Sequence, residues 1–271
     1  MKSCDAKYNL RRTENIQLGT LEYYRKHTSE EVGDAAEASL YTDVKIDEPM
    51  DVPAEIIGKI NPGGVGISKN FDNIVLRPSR TFAKSVVGSA IDRKKRFYRI
   101  DELDIRYETW GSDALIFCMT QADSISDPPV MGYESNWFLR KSAADRFAEN
   151  LLVFLNEELL DSPQKFLQNP LIVGATKALP PKFELKHGPV KYRPRNVTLR
   201  NPSLRELNDL AWDLRNADFV KEDKYRHQRE YRFCFRLTQG RRILKMNKGL
   251  ESFQIPAERF KRYAMPRRIG S

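Results

Sequence analysis

The chain has 271 residues, of which 40% are hydrophobic and 10% aromatic, and its 46 Lys and Arg against 37 Asp and Glu give a formal net charge of +9. This size and apolar content predict one domain with a sizeable core and argue against two independent catalytic domains. No apolar run reaches the roughly 20 residues that cross a bilayer, and the N-terminus lacks the apolar segment of a secretion signal. We therefore expect a cytoplasmic protein with no membrane partner.

The positive charge is concentrated in the C-terminal third. Residues 182–271 hold 23 of the 46 basic residues but only 10 of the 37 acidic ones. Such asymmetry indicates an anionic partner, the alternative being a solvated basic surface. The segment from about residue 258 to 271, with ERFKRY and MPRR, is predicted to be a basic arm. The 3 Cys and the few His are scattered, so neither a disulfide framework nor a metal site is expected.

The first half of the chain is predicted to consist of strands and turns. AKYNL is expected to be a short strand, and ENIQLGT a second strand that enters an aromatic-rich turn at LEYYRK. TSEEVGDAAEA is predicted to be an acidic loop, and alternating segments such as YTDVKI and NIVLR to be strands. The glycines of NPGGVG lack the Lys and Ser or Thr of a phosphate-binding loop, which favours a hairpin.

Two helices are predicted in the second half. Ser142 is expected to cap the first, in which Phe147, Leu151 and Leu159 recur at helical spacing. Ser203 and Glu206 form the signature of a capping box at the start of the second, in SLRELNDLAWDLRNA. The proline-rich stretch from residue 163 to 181 is expected to be an extended connection.

Three further strands are predicted around these helices. DALIFCMT is an almost continuous apolar run typical of a buried strand, and HGPVKYR is a second strand. YRFCFRL alternates, with Tyr231, Phe233, Phe235 and Leu237 on one face and Arg232, Cys234 and Arg236 on the other. Several strands and two helices predict a single α+β domain with a mixed or mostly antiparallel sheet and flanking helices.

The triplet Gln228-Arg229-Glu230 stands directly before the last of these strands. A carboxylate at a loop-to-strand junction is held rigidly on one side and open on the other, which suits a group that meets a developing positive charge. Because side chains alternate with a period of two, Gln228 is expected on the same side as Glu230. The alternative is a structural Glu230 that pairs with neighbouring arginines.

Several short motifs extend along the chain in the same order as in one family. They are Lys7-Tyr8, the segment LGTLEYYR at residues 18–25, the pair Asp34 and Glu37, and finally Lys221, Tyr225 and Glu230-Tyr231-Arg232. With the Q-x-E triplet, this organisation resembles bacterial toxins of the ADP-ribosyltransferase fold, including those of toxin–antitoxin–chaperone systems of phage defence. The resemblance implies a split-sheet core spanning residues 1–271, NAD as co-substrate and no metal.

The resemblance also implies roles for individual residues. Glu230 would be the catalytic carboxylate that holds the nicotinamide-ribose 2′-OH, and Gln228 would orient the acceptor. The family uses an Arg or His of the first strand and a hydroxyl of a central strand for NAD. The corresponding NAD-binding candidates here are Lys7, Tyr8, Arg11, Tyr24, Arg25 and Thr120.

The basic C-terminal third suggests that the acceptor is nucleic acid. Cations interleaved with aromatic rings neutralise phosphates and stack on bases, as single strands require. The candidate contacts are Arg226, Arg229, Arg232, Arg241 and Arg242. RNA is the expected acceptor, with single-stranded DNA or protein as alternatives and an antitoxin, with or without a chaperone, as partner. An NAD glycohydrolase and a non-catalytic nucleic-acid-binding or interaction protein remain alternative functions.

Overall fold

The computed structural model describes residues 1–27, 34, 36–60, 74–75, 79–92, 97–111, 113–130, 132–168, 179–240 and 242–266. The described chain forms a mixed α+β fold in which most strand pairs are antiparallel. The helices are α1 Leu21–Lys26, α2 Ala54–Ile60, α3 Ala144–Asp161 and α4 Leu204–Arg215. The strands of the first half are β1 Lys2–Cys4, β2 Asn15–Thr20, β3 Ser39–Ile46, β4 Met50–Pro53, β5 Ile74–Val75, β6 Ser79–Asp92, β7 Phe97–Trp110 and β8 Leu115–Thr120. Those of the second half are β9 Ser135–Trp137, β10 Lys182–Pro189, β11 Lys191–Arg193, β12 Asn196–Arg200, β13 Val220–Glu222, β14 Glu230–Gln239, β15 Arg242–Leu244 and β16 Ser252–Pro256.

The larger sheet is built around β14. Its strand order is β16-β2-β8-β14-β15-β5, and β10 also pairs with β14, on the edge opposite β8. One face of this sheet packs on α3, where Phe147, Leu151, Phe233 and Phe235 are fully buried in the main core. The predicted apolar face of β14 is therefore confirmed, and DALIFCMT supplies the buried neighbouring strand β8.

The smaller sheet is built around β7. It has the order β12-β3-β7-β4, with β6 also paired to β7. All of its pairs are antiparallel except β12 with β3. A second core lies beneath it, where Val44 and Ile105 pack with Leu207 and Leu210 of α4. A short parallel pair, β11 with β13, leads into the segment that precedes β14.

The two predicted helices exist, but their starts differ in how they are capped. In α4 the hydroxyl of Ser203 accepts from the backbone of Glu206, whose carboxylate accepts from the Ser203 backbone, so the capping box is confirmed. The cap predicted at Ser142 is wrong, because α3 begins at Ala144 after a 3-10 turn at Lys141–Ala143. That turn supplies the first hydrogen bonds of the helix through the backbone, so no side-chain cap forms.

The N-terminal predictions need two corrections. The first strand is Lys2–Cys4, whereas AKYNL contains a 3-10 helix at Ala6–Tyr8, held by Asn9, whose side chain bonds to the Asn136 carbonyl at 2.9 Å. The aromatic turn is instead the helix α1, because Thr20 accepts from the Tyr23 backbone at 3.0 Å and caps it.

The predicted C-terminal arm is packed against the domain as far as the structure describes it. Residues Glu258–Tyr263 form a 3-10 helix, and the fully buried ring of Phe260 lies 5.7 Å from that of Phe147. The rest of the arm, the predicted hairpin at NPGGVG, residues 28–33 of the acidic loop and residues 169–178 of the proline-rich connection lie outside the described residues. None of the helices found in the described ranges is both long and apolar enough to cross a bilayer.

Candidate functional site

The face of β14 that turns away from α3 carries Glu230 and Arg232. Glu230 is the first residue of β14 and pairs with Thr120, the last residue of β8. A 3-10 helix, Asp223–Gln228, ends just before it, and Arg229 joins the two in the left-handed conformation, with φ of 46° and ψ of 47°. The hydroxyl of Tyr192 accepts from the Glu230 backbone at 2.7 Å, which fixes the start of the strand.

Glu230 and Arg232 line a small cleft with an open mouth and a cavity volume of about 100 Å³. This volume is below the roughly 300 to 1,000 Å³ of typical small-molecule sites, so a larger ligand would extend out through the open mouth. Its charged and amide side chains are those of Lys2, Glu37, Lys221, Gln228, Glu230 and Arg232. Hydroxyl and thiol groups come from Ser3, Tyr24, Cys118, Thr120 and Tyr133.

Two cations hold the carboxylate of Glu230, one on each oxygen. Arg232 donates from Nε to Oε1 at 2.7 Å, and Lys221 donates from Nζ to Oε2 at 3.2 Å. All three residues are buried, at 6%, 2% and 7% exposure in the order Glu230, Arg232, Lys221. A buried carboxylate keeps its charge only when paired in this way, so these contacts set the ionisation state of Glu230.

A second carboxylate shares the same two cations. Glu37, also buried, accepts from Nη2 of Arg232 at 2.9 Å and lies 3.7 Å from Nζ of Lys221. We refer to Glu37, Lys221, Glu230 and Arg232 as the four-charge cluster. Its two positive and two negative charges balance, which satisfies the requirement for burying ionised groups.

The pKa values of the cluster reflect these contacts. Burial opposes ionisation of Glu230, but the charges of Arg232 and Lys221 outweigh it and hold the pKa of that carboxyl well below its usual range. Burial likewise lowers the pKa of Lys221, yet Glu230 and Glu37 together raise it above the ordinary lysine value. The thiol of Cys118 lies beside the cluster, and burial followed by the charge of Glu230 raises its pKa to about 12.

Gln228 and Glu230 face the same side, as predicted. The Oε1 atom of Gln228 accepts from Nζ of Lys221 at 2.8 Å, so one ammonium contacts both side chains. The predicted reason is wrong, however, because β14 does not extend back to Gln228. The left-handed Arg229 reverses the chain between them and brings the two side chains together.

Only part of the predicted NAD site lines the cleft. Tyr24 and Thr120 do, whereas Lys7, Tyr8 and Arg11 lie at the exposed surface outside it, since the first strand ends at Cys4. Arg25 has a structural role, because its guanidinium donates to the Glu37 carbonyl at 3.1 and 3.0 Å. The first-strand cation that does line the cleft is Lys2, which is not among the predicted NAD-binding residues.

The predicted nucleic-acid contacts differ in their surroundings. Arg232 as a surface contact is wrong, because its guanidinium is enclosed by Glu230, Glu37 and the Asp218 carbonyl. The other described candidates, Arg226, Arg229 and Arg242, are exposed. Arg226 pairs with Asp223, and Arg229 pairs with Asp123 at 2.5 Å. Arg242 is the first residue of β15. Arg241 lies outside the described residues.

Part of the C-terminal positive charge is neutralised by ion pairs with buried carboxylates. Arg195 binds Asp34 through both carboxylate oxygens, at 2.9 and 2.8 Å, and Lys191 pairs with the buried Asp213 at 2.9 Å. Arg236 pairs with a third buried carboxylate, that of Asp218. Of these three pairs, only Arg195 with Asp34 joins the C-terminal third to the rest of the chain, and it accounts for part of the charge asymmetry.

Two members of the four-charge cluster, Glu37 and Lys221, were absent from the predicted site. Both residues belong to the motifs on which the family resemblance rests, but those motifs assign neither of them a role in the site. The motif residues Tyr24, Glu37, Lys221, Glu230 and Arg232 all line one cleft, although up to 208 positions separate them in the sequence. Comparisons of the chain with models of protein families, with curated proteins and with solved structures find no match.

Proposed function

We propose that this protein is an NAD-dependent ADP-ribosyltransferase with Glu230 as its catalytic carboxylate and the fold that goes with that activity. The observation that carries the proposal is the position of Glu230, an ion-paired carboxylate at the wall of a cleft, with Gln228 on the same ammonium. The convergence of the motif residues on this cleft supports it further.

The chemistry requires one fixed negative charge. The bond between nicotinamide and ribose breaks with its electron pair leaving on the nicotinamide nitrogen, which becomes neutral, and positive charge develops on the ribose. A carboxylate that is already ionised and desolvated stabilises this charge without reorganising. Each carboxylate oxygen has two acceptor positions, so Glu230 can take the ribose 2′-OH while Lys221 and Arg232 occupy the others.

The cleft offers groups suited to the rest of NAD. Tyr24 and Tyr133 contribute aromatic side chains to the lining of the cleft, and Thr120 contributes a hydroxyl-bearing one. Lys2 lines the same cleft; its ammonium lies 5.2 Å from the ring of Phe117, and no carboxylate pairs with it in the described ranges. An unpaired ammonium in a cleft whose other charges balance favours an anionic group such as a pyrophosphate.

The proposed acceptor is single-stranded RNA, which would approach along the segment before β14. There the guanidinium of Arg226 lies 6.0 Å from the ring of Tyr192, and Nζ of Lys224 lies 5.0 Å from that of Tyr225. The exposed cations suit a phosphate chain and the half-buried ring of Tyr192 suits a stacked base, whereas Tyr225 is buried. Because Arg226 and Lys224 also pair with carboxylates, we expect a shallow salt dependence of binding. From the family resemblance we also propose an antitoxin, with or without a chaperone, as a protein partner.

Labelled NAD tests this proposal. The protein is incubated with NAD labelled in the adenylate and with separate RNA, single-stranded DNA and protein pools. We expect label on RNA from the wild type, a loss of about 100-fold or more in Glu230→Gln, and wild-type rates in Glu184→Gln, whose carboxylate on β10 pairs with Lys182 at the surface.

The other outcomes select the alternatives. Free ADP-ribose with no labelled polymer identifies an NAD glycohydrolase, and transfer to DNA or protein overturns the choice of RNA. If NAD is not consumed while RNA binds in a salt-sensitive manner, the chain is a non-catalytic binding protein and Glu230 is structural.

A further inference from the structure

Glu37 is attached to the rest of the protein in two separate ways. Its backbone is held by Arg25, which donates to the Glu37 carbonyl, and by the turn in which the Glu37 amide donates to the Asp34 carbonyl at 2.7 Å. Its carboxylate contacts only Arg232 and Lys221 within the described part of the chain. The backbone contacts thus anchor the segment without the Glu37 carboxylate. The negative charge of that carboxylate must therefore have another role than anchoring.

Asp34 shows what a purely structural carboxylate in the same segment does. It is almost as buried as Glu37, at 5% against 2%, and it binds Arg195 through both oxygens. It lies outside the cleft that Glu230 lines. Asp34 ties the segment to Arg195, the residue directly before β12. Glu37 instead contacts Arg232 and Lys221, the two cations that hold Glu230.

The net charge of the four-charge cluster indicates a role for the Glu37 carboxylate. With Glu37, the four-charge cluster is neutral; without it, Glu230 would face two cations alone and the cluster would carry one net positive charge. An excess cation beside Glu230 would cancel its field at the point where positive charge develops on a substrate.

We propose that Glu37 is a positioning residue, which draws Arg232 and Lys221 partly onto its own carboxylate and so keeps the negative charge of Glu230 effective in the cleft. This role rests on the proposed function of Glu230. Arg232 makes it possible, because its Nε donates to Glu230 while its Nη2 donates to Glu37, so that one guanidinium spans both carboxylates.

NAD turnover supplies the first test. Glu37→Gln keeps the shape and removes the charge, and we expect kcat to fall about 10-fold with KM changed less than about 3-fold, since the lost effect acts in the transition state. Glu37→Asp keeps the charge and should recover most of kcat. Asp34→Asn removes a buried charge from the same segment and should retain wild-type kcat.

Cys118 supplies a second readout that needs no enzymatic activity. Its thiol lines the cleft beside Glu230, and its reaction with iodoacetamide depends on the fraction ionised. Removing the charge of Glu37 makes the surroundings more positive, so the thiol should ionise more readily and react several-fold faster at about pH 9. Asp34→Asn should react at the wild-type rate, and Glu37→Gln combined with Lys221→Gln, which rebalances the cluster, should return towards it. Mass spectrometry of the peptide containing Cys118 separates it from Cys4 and Cys234.

The two readouts separate the two proposals. If wild type fails to consume NAD but Cys118 responds as expected, the proposed function is wrong and the charge role of Glu37 stands. If Asp34→Asn and Glu37→Gln lower kcat alike, or Cys118 reacts equally in all variants, Glu37 is a tether and the inference is overturned. If Glu37→Gln does not fold, the rebalanced double variant and Glu37→Asp decide by the same thiol rates.

Discussion

Glu230 and Arg232 lie two residues apart on one face of β14, and Nε of Arg232 donates to Oε1 of Glu230 at 2.7 Å. The strand thus supplies both the carboxylate and the cation that keeps it ionised. The intervening Tyr231 packs on the α3 side of the sheet, as the alternation of side chains along a strand requires.

Arg232→Met should destabilise the protein by about 3 to 5 kcal/mol, because it leaves Glu230 and Glu37 buried with only Lys221 as a cation. Urea denaturation measures the difference. Arg242→Met at an exposed position should stay within about 0.5 kcal/mol of wild type. Equal denaturation midpoints for the two variants would contradict the role assigned to Arg232.

The stability of the protein should depend on pH through Glu230. Although burial favours the protonated form, Arg232 and Lys221 depress the folded pKa, so this group stabilises the fold above its unfolded pKa of about 4.3. That stabilisation is lost as pH falls below this value. Denaturation of wild type and Glu230→Gln between about pH 6 and pH 3 should therefore give a steeper decline in wild type. Parallel curves would show that Glu230 titrates normally.

Gln228→Ala should separate transfer from hydrolysis. Gln228 touches Lys221 rather than the Glu230 carboxylate, so its loss leaves the group proposed to break the glycosidic bond in place. We expect transfer of label to RNA to fall about 10-fold or more while total NAD consumption changes less. Thin-layer separation of free and polymer-bound label gives the ratio. An unchanged ratio would remove Gln228 from acceptor binding.

Asp113 is a half-buried carboxyl with a buried Oδ1 atom, and its removal should stabilise the protein. Burial raises its pKa to about 6 despite the charge of Arg25, and its Oδ1 has no hydrogen-bond partner in the described ranges. The penalty is present above pH 6 and disappears as the group protonates at lower pH. Asp113→Asn should gain about 1 to 3 kcal/mol at pH 8 and nothing near pH 4. A constant difference across this range would contradict the raised pKa.

Ser203→Ala removes one half of the capping box of α4 and should cost about 1 kcal/mol of folding stability. Thermal denaturation at fixed pH measures this cost. Ser142→Ala is the matched control, because Ser142 precedes α3 without capping it, and it should be close to neutral.

The sequence predicted those parts of the fold that depend on neighbours along the chain. The capping box of α4 lies within four residues, and the apolar face of β14 follows from alternation alone. The N-terminal AKYNL was misassigned because its 3-10 turn depends on Asn9 reaching Asn136 in another strand. Local propensity contains no information about that contact.

The sequence identified the candidate carboxylate, Glu230, but not the residues that surround it. Glu230 and Gln228 were identified from one triplet, and both line the cleft. Arg232 was interpreted as a nucleic-acid contact because it stands on the polar face of a strand in the basic C-terminal third. Here that face meets Glu37 and the carbonyl of Asp218, which are 195 and 14 residues away. Burial of a polar face by a distant segment cannot be read from alternation.

The pairing of Glu37 with Arg232 and of Asp34 with Arg195 joins segments 195 and 161 residues apart in the chain. During synthesis, the residues near the N-terminus leave the ribosome long before β14 exists, so the carboxylates of residues 34 and 37 wait without their cations. Contacts of such separation form late and slowly. The cleft is therefore assembled only when most of the polypeptide has been made, and shortened chains that end before β14 lack it.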